Sequence, residues 1–261
     1  MNKKPHILIT NDDGVNARGI WHLWNSLKDH ARLTVIAPAR EQSAVGLGIT
    51  IREPLHHQKV LWPGNIEVES ISGTPADCIK MALSVLLDEK PDLIVSGINR
   101  GTNAGGNVLY SGTVAGAIEG TLKEVPSIAF SCYDYDEPHY EMAEKHVPSI
   151  VQHVLDHPPP QGTFLNVNFP SRKFDSFKGY RMTRQGRQFW EEDPDKREHP
   201  DAGQHYYWLG AKLSKFDEHE DSDITWLDQG YIAAVPVHIG DLTDHQHLVN
   251  RKNEFESLFT S

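Results

Sequence analysis

A doubly wound α/β fold with a mostly parallel sheet is predicted from three features of the chain. Short apolar runs at His6 to Thr10, Leu33 to Ala37, Leu93 to Ser96 and Ser127 to Ser131 read as buried strands. Segments of helical period lie between them, at Arg18 to Lys28, Thr74 to Asp88 and Thr113 to Lys123. Strand and helix in alternation require parallel strands joined by crossover helices on both faces. The first run also ends abruptly at Asp12-Asp13-Gly14, at the place where such sheets carry their ligands.

Each element has its own local reason. "HILIT" is continuously apolar around one polar start, as a strand covered on both faces must be. The helix beginning near Thr74 opens with Thr-Pro, a cap residue followed by a proline at the first helical position. "TVAGAIEGTLK" is rich in small residues and starts behind Ser111-Gly112. After about Phe169 the pattern changes to aromatic, alternating stretches around a charged, proline-containing segment, which predicts hairpins and a mobile loop near Glu191 to Ala202. "GYIAAVPV" reads as a final strand, followed by a terminal helix opened by a Thr243/Gln246 capping box. Leu248, Val249, Phe255, Leu258 and Phe259 give that helix an apolar face. The division expected is a core at 1–170, a hairpin extension at 171–230 and a strand-and-helix arm at 231–261.

At 261 residues the chain can bury roughly three quarters of its extended surface, enough for a substantial core. Asp and Glu outnumber Lys and Arg by 36 to 25, a net charge of −11, which argues against nucleic acid polymers and anionic membranes as partners. Any phosphate must therefore be held by a local device. Two cysteines among small and apolar neighbours, Cys78 and Cys132, read as buried thiols and not as a disulfide framework. No run reaches the roughly 18 apolar residues of a membrane span, and "MNKKPHILIT" passes into a strand without a signal-peptide core, so a cytoplasmic protein is expected.

Asp12 and Asp13 are like charges crowded at a strand end, and they repel unless a cation or a shared proton compensates. A hard divalent ion takes oxygen ligands. If Leu93 to Ser96 opens the second half of the sheet, Asn99 arrives beside the aspartates, as does Ser43 from "PAREQSAVG". Asp, Asp, Ser and Asn offer only oxygen. On this stretch alone Asp12 as a cap of the following helix, or as support of a turn with Gly14, is the more ordinary explanation. The loop "SGINRGTNAGGNVLYSGT" favours a site, because its glycines let backbone N–H groups approach an anion and Ser111-Gly112-Thr113 begins a helix. It is neither the dinucleotide fingerprint nor a P-loop, and Ser111 as a simple helix cap stays open. His245 and His247, two apart on a helix, diverge and read as a solvated face, and His56-His57 as surface strand or loop. Arg184 and Arg187 could clamp phosphate, while Tyr206, Tyr207 and Trp208 fit hairpin packing better than stacking on a base.

"ILITNDDG", "PAREQSAVG", "SGINRGTNAGGNVLYSGTVAGAIEG", "YYWLG" and "SDITWLDQGYIAAVPV" together resemble the SurE family of metal-dependent 5′-nucleotidases, over nearly the whole chain. The resemblance implies a Rossmann-like core with a β-hairpin extension and a C-terminal arm exchanged within a homodimer, in some members paired into tetramers. It implies hydrolysis of nucleoside 5′-monophosphates, with 3′-nucleotides and short polyphosphate as further substrates in some members. One divalent ion per subunit, Mg²⁺, Mn²⁺ or Co²⁺, is implied, with its ligands falling on Asp12, Asp13, Ser43 and Asn99. The phosphate loop falls on Asn103, Ser111, Gly112 and Thr113. As catalytic residues, Asp12 is expected to orient or deprotonate the water and Asp13 to serve mainly as a ligand. "IAAVPVHIG" departs from relatives, which more often show Ser, Thr and Leu there, and this bears on the arm and not on the chemistry. The alternatives are an aspartyl-phosphate phosphatase, which expects Asp-x-Asp, and a non-catalytic nucleotide-sensing module.

Overall fold

The computed structural model describes residues 4–201, 203–210 and 212–259. The first strand, β1 (His6–Thr10), leads through α1 (Arg18–Leu27) to β2 (Arg32–Pro38), and a hairpin of β3 (His57–Trp62) and β4 (Ile66–Ile71) follows. Next come α2 (Pro75–Met81), prolonged by a π turn over Ala82–Leu86, then β5 (Leu93–Arg100), α3 (Gly112–Leu122), β6 (Ser127–Cys132), α4 (Tyr140–Asp156) and β7 (Thr163–Phe169). The remainder holds the short strands β8 (Tyr180–Met182), β9 (Trp190–Glu191), β10 (Asp195–Glu198), β11 (His205–Trp208) and β12 (Lys212–Leu213), then α5 (Asp223–Asp228), β13 (Ile232–His238) and α6 (His245–Ser257).

The main sheet has nine strands in the order β3-β4-β2-β1-β5-β6-β7-β13-β8. From β4 to β7 all neighbours pair in parallel, while β3 and β13 run antiparallel to the strands inside them. Ile7 stands between Leu33 and Leu93, and Thr10 opposite Ser96, so β1 is central. Its alternate side chains feed two cores. Ile7 and Ile9 pack with Leu23 and Leu27 of α1 and Val147 of α4, whereas Leu8 packs on the other face with Ile36, Ile79 and Ile94. This is why the strand reads as an unbroken apolar run.

Strand and helix bounds agree with the sequence reading to within a residue or two at β1, α1, β2, β6 and α3. The predicted Thr74 helix starts as expected, with Pro75 at the first helical position and Thr74 and Asp77 forming a reciprocal capping box across it. Its second half is the π turn. The terminal helix starts one residue later than predicted, and Asp244, not Thr243, accepts from the His247 N–H at 2.9 Å. Aspartate at the cap satisfies the same orphan donors that the Thr243/Gln246 box was expected to satisfy.

The segment read as a loop contains β10 and the second residue of β9; its last residue, Ala202, lies outside the described residues, as do Met1 to Lys3 of the N-terminal reading. Tyr206, Tyr207 and Trp208 are exposed on the two-stranded β10–β11 ribbon. Every residue of α6 is exposed in the single chain, Leu248, Val249 and Phe255 among them, and so are Leu258 and Phe259 just after it. Cys78 and Cys132 are free and buried. Among the described residues no helix is long and apolar enough to cross a membrane.

Candidate active site

Strand order reverses at β1, whose chain leads to β2 on one side while β5 leads on to β6 on the other. The loops after β1, β2 and β5 meet at this switch point, outside the carboxyl ends of the strands. Gln42 N–H donates to the Asp12 carbonyl at 2.7 Å, drawing the β2 loop over the aspartates. The tight turn that follows β1 is closed by Asn11, whose amide donates to the Gly14 carbonyl at 3.0 Å, with Gly14 at φ +99°. The carboxylate of Asp12 is thus not the group that closes the turn.

That carboxylate faces the first turn of α3. Thr113 donates its hydroxyl to Asp12 Oδ1. A Cβ at position 112 would stand 2.7 Å from Asp12 Cβ and 2.8 Å from Oδ2, so only glycine lets helix and carboxylate approach this closely. Burial, followed by the neighbouring Asp13 charge, pushes the Asp12 carboxyl up to about 7, although the Thr113 hydrogen bond works in the opposite direction. Asp13 is raised by burial too, against the pull of Arg100, whose N–H lies 3.4 Å from Oδ2 and whose Nε lies 3.4 Å from Oδ1. The Arg100 guanidinium also donates to Glu41 at 2.9 Å, and Ser43 Oγ donates to the same Glu41 oxygen at 2.7 Å.

The sequence-predicted residues therefore divide. Asp12, Gly112 and Thr113 touch directly, and Asp13 and Ser43 are linked through Arg100 and Glu41. Asn99 directs its amide N–H to the Gly101 carbonyl at 2.9 Å, which leaves its side-chain oxygen as the end available to a cation. Ser111 caps α3, accepting from Val114 N–H at 3.1 Å, and its hydroxyl proton stays available to a ligand. Asn103 is tied into the scaffold instead: it donates to Ser131 Oγ at 2.7 Å, while Asn166 and Asn168 bind its backbone. Arg187 lays its guanidinium over Phe216, and His57 pairs with Glu69 at 2.7 Å on the outer hairpin.

Three contributors escaped the sequence reading. Glu41 and Arg100 lie within motifs singled out for their neighbours Ser43 and Asn99, so the signal was present as a charge beside each candidate ligand. Asp223 is the third. Buried at the start of α5, its carboxylate accepts from Gly105 N–H at 2.9 Å, Gly186 N–H at 2.8 Å and Gln185 Nε2 at 3.2 Å. It fastens the extension to the glycine loop.

The donor set suits a hard cation. Asp13 Oδ1 and Asn11 Oδ1 are buried and make no hydrogen bond, an arrangement that is unfavourable unless something else meets those oxygens. Among the described residues no three His, Cys, Asp or Glu side chains gather as a metal cluster, so an ion here would need the neutral oxygens of Ser43 and Asn99 alongside the two carboxylates.

Fold and site together define a doubly wound α/β protein whose switch point sets paired carboxylates beneath the N-terminus of a helix. The chain belongs to the SurE family: the family profile described as Survival protein SurE matches residues 7–192. It is 54% identical over 259 residues to the 5′-nucleotidase SurE of Protochlamydia amoebophila, covering 99% of both chains. To the 5′-nucleotidase SurE of Thermosipho africanus it is 42% identical over 251 residues, covering 96% of this chain and 98% of the other. The crystal structure of the SurE protein from Aquifex aeolicus is similar with a TM-score of 0.81 at 37% identity, covering 96% of this chain and all of that one.

Proposed function

We propose that this chain is a metal-dependent phosphomonoesterase that hydrolyses nucleoside 5′-monophosphates to nucleoside and phosphate. The relatives named 5′-nucleotidase, one of them 54% identical end to end, support the reading. The observation that carries it is the buried Asp12 carboxylate set against the first turn of α3, with the partly buried Asp13 beside it. Asp12, Asp13, Ser43 and Asn99 would hold one divalent ion, Mg²⁺, Mn²⁺ or Co²⁺. Such an ion supplies Lewis-acid charge beside the phosphoryl group.

The chain's own groups do the rest. The unpaired N–H groups at the start of α3 and the Ser111 hydroxyl receive phosphate oxygens at the positive end of the helix dipole. Gly112 keeps that cradle against Asp12. Asp12, with its carboxyl near neutrality, is able to orient a water and take its proton. Asp13 serves chiefly as a ligand. Residues 1–170 carry this chemistry, 171–230 form the extension, and 231–261 form the arm, whose strand pairs with β7 of its own chain and whose exposed helix exchanges with a second copy in a homodimer.

Phosphate release from a panel of nucleoside 5′-monophosphates, 3′-monophosphates, short polyphosphate and a sugar phosphate, each with Mg²⁺, Mn²⁺ and Co²⁺, tests the substrate class. The 5′-nucleotides are expected to be cleaved fastest, without an acid-stable phosphoenzyme. Release only from the sugar phosphate, or a phosphoenzyme trapped by beryllofluoride, contradicts it.

A further inference from the structure

Arg100 stands at the end of β5, directly after Asn99, with its charge facing the carboxylates at the switch point. Its guanidinium has three neighbours. Nε lies 3.4 Å from Asp13 Oδ1, Nη2 donates to Glu41 at 2.9 Å, and the group lies 4.6 Å from the centre of the Tyr135 ring. The contacts are unequal. The Glu41 side is a true hydrogen bond, whereas Asp13 Oδ1 is buried and makes none: the carboxylate is met by the Arg100 backbone N–H, 3.4 Å from Oδ2, and by the guanidinium only through proximity. Glu41 is also fixed by Ser43, and Tyr135 covers the guanidinium face. Arg100 can thus give up Asp13 and keep its place on Glu41 and Tyr135.

We propose that Arg100 is a built-in counter-cation for Asp13, which a divalent ion must displace, so that the Asp13–Arg100–Glu41 chain sets the metal affinity of the site. The proposal rests on the metal-dependent reading above and concerns a positioning residue. With Asp13 engaged by a monovalent charge, the adjacent aspartates, Asp12 buried and Asp13 partly so, are tolerable in the metal-free protein. When an ion takes Asp13, the positive charge of Arg100 stays nearby and opposes it, and Glu41 is what draws that charge outward. Two substitutions should consequently act in opposite directions. Arg100→Gln removes both the competitor and the repulsion. Glu41→Gln removes the outer anchor and leaves the guanidinium to Asp13.

Calorimetric titration of Mn²⁺ into wild type, Arg100→Gln, Arg100→Lys and Glu41→Gln, with melting temperatures taken in chelator, tests this without reference to turnover. Arg100→Gln is expected to bind Mn²⁺ on the order of tenfold more tightly and to melt lower when metal-free. Arg100→Lys, which keeps the charge but not the two-sided fork, should fall between it and wild type. Glu41→Gln should bind more weakly. Affinity in Arg100→Gln that is unchanged or weaker than wild type overturns the proposal, and so does a Glu41→Gln protein that binds as tightly as wild type or tighter. Wild-type protein that binds no Mn²⁺ overturns the metal site itself, and the proposal with it.

Discussion

Asp12→Asn is expected to lower phosphate release from a nucleoside monophosphate on the order of 10³-fold while making the metal-free protein more stable at neutral pH. The substitution keeps the shape of the side chain and an acceptor for the Thr113 hydroxyl, but removes the charge and the site for a proton. Stability moves the other way because burial and Asp13 both disfavour the ionised carboxyl, which is pushed up to about 7. The sign follows from proton counting. Between the ordinary value of 3.8 and about 7 the folded protein holds a proton at Asp12 that the unfolded chain has lost. The stabilisation is complete below pH 3.8 and is lost as the pH rises through about 7, a change of a few kcal/mol by linkage. Thermal denaturation in chelator across this range should show that decline in wild type and a flatter curve in Asp12→Asn. A variant less stable than wild type at pH 7.5 in chelator would mean that the carboxylate is structural. Asp13→Asn should leave the proton site but impair metal binding.

Thr113→Val and Ser111→Ala are expected to fail in different ways, although only Gly112 separates the two residues at the start of α3. The Thr113 hydroxyl is fully buried and bonded to Asp12, so its loss acts through that carboxylate. A hydrogen bond to a charged group contributes about 1.5–3 kcal/mol, so catalytic efficiency should drop at least about tenfold, and excess Mn²⁺ should partly restore it, as in Asn99→Ala. Ser111→Ala loses a donor to phosphate together with a helix cap of about 1 kcal/mol. Its efficiency should fall by a similar factor with metal affinity unchanged. Mn²⁺ titrations of activity separate the cases, and rescue of Ser111→Ala but not Thr113→Val reverses the assignment.

The contrast at Thr113 shows where sequence reasoning reached and where it stopped. Adjacent carboxylates after an apolar strand, and a Ser-Gly-Thr step into a small-residue helix, announce a site because each is a local chemical anomaly. Which hydroxyl faces which partner is set by a contact spanning 101 residues, between Thr113 and Asp12, and no local pattern encodes it. The same holds for Asp223, whose bond to Gly105 spans 118 residues.

In the fold, the central strands were legible because burial on both faces leaves continuous apolar runs. The β3–β4 hairpin was not: "HQKVLW" keeps most of its residues exposed at the sheet edge, and its turn is marked only by Pro63, Gly64 and Asn65. Helix α4 hid behind Pro148 in its middle and an N-terminal residue, His139, that makes no capping hydrogen bond. The resemblance suggested the proposed ligand set as a whole, but Arg100 and Glu41 become visible only when the loops after β2 and β5 are brought together.

The most direct measurement is phosphate release from a nucleoside 5′-monophosphate by protein stripped with excess chelator, before and after Mn²⁺ is restored, with Asp13→Asn in parallel. Wild type should be inactive when stripped and recover when Mn²⁺ is added, and Asp13→Asn should need far more metal to recover at all. Full release in excess chelator, or recovery of Asp13→Asn at the same Mn²⁺ concentration as wild type, would contradict a metal-dependent site built on the paired aspartates.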